Sequence, residues 1–431
     1  MSLVSIATAA DFNVKSETRQ GPNRKIQNQV SQIIDAVIQG GDQAVLEFAA
    51  RFDGQELEFL RVPAELIAQA EQEIDAETRR ILLGAIENIK DFHRRQLQSS
   101  WKVHFDDGTD LGEKVTPLDR VGLYVPGGKA FYPSSMIMNV VPAQLAGVPQ
   151  VVVASPPGKQ GLPHPLVLGL CGMLGIEEVY TMGGAQAVAA LAYGTESIVP
   201  VAKITGPGNA WVAEAKRQVF GQVGIDSIAG PSEILILHDD PEVPTEYLVR
   251  DMLSQAEHDL EAQSILITTS RETALAVQAR LDELVPTLPR AEIITASLQN
   301  QGKILLVERI EEGIALANQI APEHLELLVP EEDEEDMLDL IRNAGAIFIG
   351  QWSSEPVGDY YAGPNHTIPT GGAARYAAPL SVRDFQKHSS LIRYSKKRLL
   401  KEGEDIAKFA DLEELNAHAS AVRVRLENLN D

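Results

Sequence analysis

The stretch Leu253-Ser254-Gln255-Ala256-Glu257-His258-Asp259 sets an amide oxygen and an imidazole three residues apart, so that on a helix both lie on one face. Gln255 and His258 could converge there on a metal ion, with Glu257 or Asp259 orienting the ring. Two polar residues on a helix are more commonly a solvated face, so the pair needs support from elsewhere. Ala321-Pro322-Glu323-His324-Leu325 places a carboxylate beside an imidazole at the entrance to an apolar strand run. Histidine suits proton uptake near neutral pH, and a glutamate of raised pKa can activate water. Adjacent strand residues point to opposite faces, so the two share a substrate only at a bend, which Pro322 makes available. The glycine-rich segment Pro356–His366 offers Asp359 as a hard oxygen ligand and His366 as a rival nitrogen ligand. Leu412–His418 adds Glu413, Glu414 and His418 near the end of the chain.

Glycine turns form the second group of candidates. The strand-like run VGLYV leads into Pro126-Gly127-Gly128-Lys129, EEVYT into Gly183-Gly184-Ala185-Gln186, and VAKIT into Gly206-Pro207-Gly208-Asn209. The last two precede helical runs, where free backbone N–H groups favour an anion. Each is an ordinary turn by itself, and none carries the G-x-G-x-x-G fingerprint. Three at strand ends in one block suggest a ligand crevice. His93, His104, His164, His238 and His388 have no companion at ligand spacing and read as structural or surface residues. No G-x-S-x-G elbow supports serine chemistry; Ser232 draws notice only because it stands just before the run EILIL.

The elements that must position these residues form two alternating βα blocks. Residues from about 22 to 101 show helical apolar spacing through Val30, Ile33, Ile34, Val37, then Ile67, Ile74, Leu82, Ile86 and Ile89. From Val121 onward short β-rich runs alternate with helices, first VGLYV, VVVAS, EEVYT and SIVPVAKI, then EILIL, SILIT, KILLV, LELLV and AIFIG. Alternation of this kind predicts parallel sheets with right-handed crossovers, hence an α/β fold of two Rossmann-like units. Helices are expected over 245–260 and 271–284, and the acidic run 331–336 reads as a helix start. After Pro379 no further strand is expected, only helices that must pack on the body or on another subunit.

Composition narrows the function classes. The chain has 431 residues, a formal charge of −24, 44% hydrophobic and 23% charged residues, an ordinary globular balance. The acidic charge argues against nucleic acid and anionic membranes as partners. One cysteine, Cys171 in an apolar run, excludes an intrachain disulfide and any thiolate cluster, so a metal would use nitrogen and oxygen ligands. No apolar stretch is long enough to span a bilayer and no secretory signal is visible, so a cytoplasmic location is expected.

With these residues assembled, the chain resembles the histidinol dehydrogenase family over nearly its full length. VGLYVPGG at 121, GGAQA at 183, TGPGN at 205, DSIAGPSE at 226, LSQAEHD at 253, APEHLEL at 321, GDYYAGPNH at 358 and HASAVRVR at 418 carry the likeness. It implies two incomplete Rossmann-like domains of aldehyde-dehydrogenase-like fold, with a helical N-terminal arm and a small tail. The implied boundaries are an arm at 1–23, a zinc-bearing and catalytic domain at 24–120 with 234–378, an NAD domain at 121–233 and a dimerisation tail at 379–431. The resemblance further implies zinc held by Gln255, His258, Asp359 and His418, a proton-transfer pair in Glu323 and His324, and NAD contacts from Tyr124, Gln186 and Asn209. Ser232, Gln255, His258, His324, Asp359, Glu413 and His418 would touch the substrate. The implied reaction is oxidation of L-histidinol to L-histidine through the aldehyde with two NAD, the last steps of histidine biosynthesis. The implied assembly is a homodimer in which each site is completed by the partner's tail. A related zinc and NAD dehydrogenase of another polar alcohol, a zinc hydrolase using Glu323 and a non-catalytic metabolite binder are the rival readings. Glu414 departs from the family pattern, which more often has glycine there.

Overall fold

The computed structural model describes residues 2–9, 12, 23–127, 132–158, 160–228 and 230–430. The strands in chain order are β1 (Ser5–Thr8), β2 (Trp101–His104), β3 (Asp110–Pro117), β4 (Arg120–Tyr124), β5 (Gln150–Ser155), β6 (Glu178–Thr181) and β7 (Lys203–Thr205). They continue with β8 (Gly224–Ile225), β9 (Glu233–His238), β10 (Gln263–Thr268), β11 (Lys303–Leu306), β12 (His324–Leu328), β13 (Ala346–Ile349) and β14 (Gln386–Arg393). The chain divides into two compact units, Met1–Gln96 with Leu118–Phe385, and Leu97–Pro117 with Gln386–Asp431.

The first unit holds two parallel sheets. One runs β6-β5-β4-β7-β8 and the other β1-β11-β10-β9-β12-β13. Counted within each βα block, both follow the order 3-2-1-4-5, so each has a switch point, between β4 and β7 and between β9 and β12. Strand runs such as EILILH and HLELL are buried at nearly every position, as parallel strands covered on both faces require. The helices Arg24–Phe48, Ala64–Gln72 and Ala76–Arg94 pack on the five-stranded sheet: Val30, Ile33 and Val37 share a core with Tyr124, Tyr180 and Leu191, while Ile67, Ile86 and Ile89 share one with Leu123 and Val153. The resemblance grouped these helices with the other block. Their burial shows the packing to be with residues 121–223, because their apolar stripes cover the faces of that sheet. In the expected arm, Ser5–Thr8 pairs with β11 at the edge of the six-stranded sheet.

The second unit is a three-stranded antiparallel sheet, β14-β3-β2, with the helices Lys396–Leu412 and Asn416–Asn430. The expectation of no strand after Pro379 is corrected by β14, which pairs with β3 from Gln386↔Pro117 to Arg393↔Asp110. Its sequence QKHSSLIR is exposed at all but its first position, so no alternating apolar face marks it as a strand. Likewise residues 97–117 belong with the tail, which a reading by contiguous sequence could not show. The two helices are joined through Glu414, held at φ 60, a left-handed conformation that glycine adopts at no steric cost. That is the position where the family pattern more often has glycine. Among the described residues no helix is long and apolar enough to cross a membrane.

Candidate functional site

Between β8 and β9 only seven residues, 226–232, carry the chain from the carboxyl edge of the first sheet to the amino edge of the second. Fully extended, seven residues reach about 25 Å, which limits how far apart the end of β8 and the start of β9 can lie. Glu233 opens β9, and His324 opens β12 directly beside it, in register with Ile234.

The backbone of Glu233 orients both members of the Glu323–His324 pair. Its N–H donates to Glu323 Oε2 at 2.8 Å, and its C=O lies 3.0 Å from His324 Nδ1. A carbonyl only accepts, so Nδ1 carries the proton and Nε2 is left as the basic nitrogen. Nε2 is buried and has no partner. Burial pushes the His324 imidazole down to about 4, keeping the ring neutral and able to take a proton. Burial also raises the Glu323 carboxyl well above the ordinary carboxylate range, partly opposed by the Glu233 N–H. Glu323 sits in the bend before the strand, and its Oε2 lies 3.8 Å from His324 Nδ1. That bend follows Ala321, which ends the helix Ile310–Ile320 at φ 57.

The helix Thr245–Ala256 ends earlier than expected, so His258 lies just past it. The His258 N–H donates to the Gln255 C=O at 3.1 Å, and this final turn keeps the two residues together. Gln255 is fully buried, yet neither its Oε1 nor its Nε2 has a partner. Such an orphaned amide is costly unless a ligand satisfies it. Ligand atoms of His258, Asp359 and Glu355 all lie within 4.8 Å of one another. Asp359 sits on a short helix, Glu355–Tyr360, where the sequence suggested only a loop. Gly358 lets that helix approach β13: a Cβ there would fall 2.6 Å from the Phe348 ring, which in turn packs on His324.

His366, a rival ligand on sequence grounds, has both nitrogens engaged. Nδ1 meets the Asp359 C=O at 3.0 Å and Nε2 the Ser135 Oγ at 3.1 Å. Burial pushes the Asp359 carboxyl up, but the hydrogen bond and charge of His366 and the imidazoles of His324 and His258 outweigh it and hold it below its ordinary range. Burial lowers the His258 imidazole. Glu355 is pushed up to about 8 by burial and by Asp359, and its Oε2 accepts from Ser254 Oγ at 3.2 Å. The set of amide, imidazole and carboxylate donors, with no thiol, fits a divalent ion such as zinc. Glu355 and Glu233 escaped the sequence reading; the only signal was their place beside Asp359 and Ser232.

The residues that the resemblance assigns to NAD, Tyr124, Gln186 and Asn209, lie at the end of β4 and just after β6 and β7, at the carboxyl edge of the five-stranded sheet. Tyr124 ends β4, and its hydroxyl accepts from the Gly184 N–H at 3.1 Å, leaving its own proton free to donate. Burial pushes this phenol up to about 12, so it stays neutral. Gln186 is buried in the first turn of the helix Gly184–Tyr193. Asn209 caps the helix Ala210–Val219, its Oδ1 accepting from Trp211 N and Val212 N, so only its Nδ2 donor remains for a ligand. Of the first glycine turn, Gly128 and Lys129 lie outside the described residues. Ser232 precedes β9 and is half-buried. Glu413 and His418 lie in the second unit, both exposed, at the two sides of the turn through Glu414. The histidines expected to be structural or surface residues have local partners: His93 with Gln96, His104 with Asp110, His164 with the Leu166 N–H, His238 with Thr268 and His388 with Glu113.

A family model described as histidinol dehydrogenase matches residues 16–426. The chain belongs to the histidinol dehydrogenase family. The histidinol dehydrogenase of Halalkalibacterium halodurans is 52% identical over 402 residues, which cover 93% of this chain and 94% of that protein. That of Bacillus subtilis is 49% identical over 425 residues, 99% of each chain. The crystal structure of histidinol dehydrogenase from Elizabethkingia anophelis superposes with a TM-score of 0.93 at 33% identity, covering 100% of both chains. An acetylating aldehyde dehydrogenase from Geobacillus thermoglucosidasius shares the fold, with a TM-score of 0.50 at 12% identity over 89% of this chain and 94% of its own.

Proposed function

We propose that this chain oxidises L-histidinol to L-histidine in two steps through the aldehyde, as a zinc-dependent, NAD-linked enzyme of histidine biosynthesis. The observation that carries the reading is the clip formed by the Glu233 backbone, which holds both the neutral His324 imidazole and the Glu323 carboxyl through one residue. Family membership supports the substrate and the cofactors. The rival hydrolase and binding readings leave either the crevice at the first sheet or the oriented proton-transfer pair without a use.

In this reading Gln255, His258 and Asp359 hold zinc, with His418 supplied by the partner subunit's tail in a homodimer. Zinc would supply a fixed positive charge for the substrate's imidazole and amine, and NAD the acceptor for hydride. His324 Nε2 takes the proton of the alcohol in the first oxidation. Glu323, which burial makes a stronger base once its own proton has left, then takes a proton from the water that adds to the aldehyde, giving the hydrate that is oxidised to the carboxylate. Ser232 and Glu413 hold the substrate's polar groups, Glu413 matching the ammonium. Tyr124, Gln186 and Asn209 offer hydrogen bonds to the dinucleotide, Tyr124 and Asn209 as donors. A cytoplasmic location and the division into a catalytic and an NAD domain belong to the same reading.

The test is NADH formation on adding L-histidinol to the purified protein, with and without a chelator. The expected result is two NADH per histidinol, lost on chelation and restored by zinc. One NADH per substrate, or activity indifferent to chelation, would overturn the reading.

A further inference from the structure

The loop after β7 is gripped from within the protein. Gly206 N–H donates to Asp226 Oδ2 at 2.8 Å, and Gly206 C=O accepts from Lys216 Nζ at 3.0 Å. Lys216 and Asp226 are themselves ion-paired, with side chains only 2% and 3% exposed. One residue's donor and acceptor are thus held by the two ends of one buried pair. Gly206 is at φ +113, and a Cβ on it would fall 2.1 Å from the Tyr124 C=O, so the loop lies hard against the strand that carries Tyr124. Three residues on, Asn209 caps the helix that bears Lys216.

Burying an ion pair costs desolvation that well-packed apolar side chains of the same volume would avoid. Its use must lie in what its polar atoms fix, and those atoms fix the orientation of the Gly206 peptide. We infer that Lys216 and Asp226 are positioning residues for the dinucleotide, setting the spacing between Tyr124 and the Gly206–Asn209 loop. Their side chains are too enclosed to touch the ligand, so they act through the backbone of Gly206. The inference rests on the proposal that this edge binds NAD. It predicts that the pair governs dinucleotide affinity and leaves zinc and histidinol binding alone.

The experiment uses the full-length, zinc-loaded protein, its Asp226→Asn variant and the Lys216→Met/Asp226→Asn double variant. Asn keeps an acceptor for the Gly206 N–H, and the double variant leaves no lone buried charge. NADH binding is titrated by energy transfer from tryptophan, with Trp211 beside the Asn209 cap as reporter. KM for NAD, KM for histidinol, kcat and zinc content are measured in parallel. The expected result is a roughly tenfold or larger rise in the NADH Kd and the NAD KM, as loss of an outer supporting contact commonly gives, with the histidinol KM and zinc content unchanged. Folded variants that bind NADH like the parent overturn the inference alone, as does a uniform loss of every parameter together with a lower Tm. A parent that fails to bind NADH overturns the dinucleotide proposal and this inference with it. Should the double variant not fold, the single variant reads the same quantities.

Discussion

Glu233→Gln should change how stability depends on pH. Burial pushes the Glu233 carboxyl from its ordinary 4.5 up to about 7, against the opposing hydrogen bond from the Gly371 N–H. Between those two values the folded state binds more protons than the unfolded state, so stability falls as pH rises from about 4.5 to 7. The full loss amounts to about 3 kcal/mol, taking about 1.4 kcal/mol for each pKa unit. Gln cannot ionise, so its contribution does not vary with pH. Its amide oxygen can still accept from Gly371, but its NH₂ would replace the enclosed, unpartnered Oε2. An unsatisfied amide costs about 1–3 kcal/mol at every pH. The variant should therefore be less stable than the parent near pH 5 and match or exceed it near pH 8, with the difference between them shifting by about 3 kcal/mol across the range. Urea unfolding of zinc-loaded protein, followed by tryptophan fluorescence at pH 5, 6, 7 and 8, measures this shift. Parallel stability curves for parent and variant would show that Glu233 does not titrate in this window and would refute the argument.

Two shorter predictions test the site and the tail. Glu323→Gln should slow oxidation of the aldehyde by about 10²- to 10⁴-fold, the usual worth of a general base, while zinc content stays at the parent level; a parent-like rate on added aldehyde would remove Glu323 from the mechanism. Glu414→Gly should raise stability by up to about 1 kcal/mol, because the left-handed backbone costs a non-glycine residue roughly 1–2 kcal/mol and glycine's greater unfolded-state freedom returns part of that. Differential scanning calorimetry reads the change, and an unchanged or lower Tm would show that the Glu414 side chain makes a compensating contact.

Much of the two-sheet body was legible in the sequence, because parallel strands covered on both faces are nearly continuous apolar runs. EILIL and SILIT fall within strands, KILLV and LELLV do so but for their last residue, and the helix expected at 271–284 spans Arg271–Leu284. Strand β14 was not legible, since an edge strand exposed at almost every position has no apolar period to read. The packing of residues 24–94 on the first sheet was hidden for another reason: helical periodicity shows that a face is buried, not which sheet buries it.

The sequence by itself determined which chemical groups this protein has and, through its ordered motifs, the family to which it belongs. Residue identity and order along the chain suffice for that. Only the tertiary structure decided what those groups can do. Adjacency could not make Glu323 and His324 partners; the Glu233 peptide, ninety residues away, does so by donating to one and accepting from the other. His258 becomes part of a candidate metal site only where a distant short helix brings Asp359 and Glu355 to the same space. Hydrogen bonds and desolvation act through space, and chain separation does not limit them. For that reason the tautomer of His324, the raised carboxyls and the grip on Gly206 are properties of the fold.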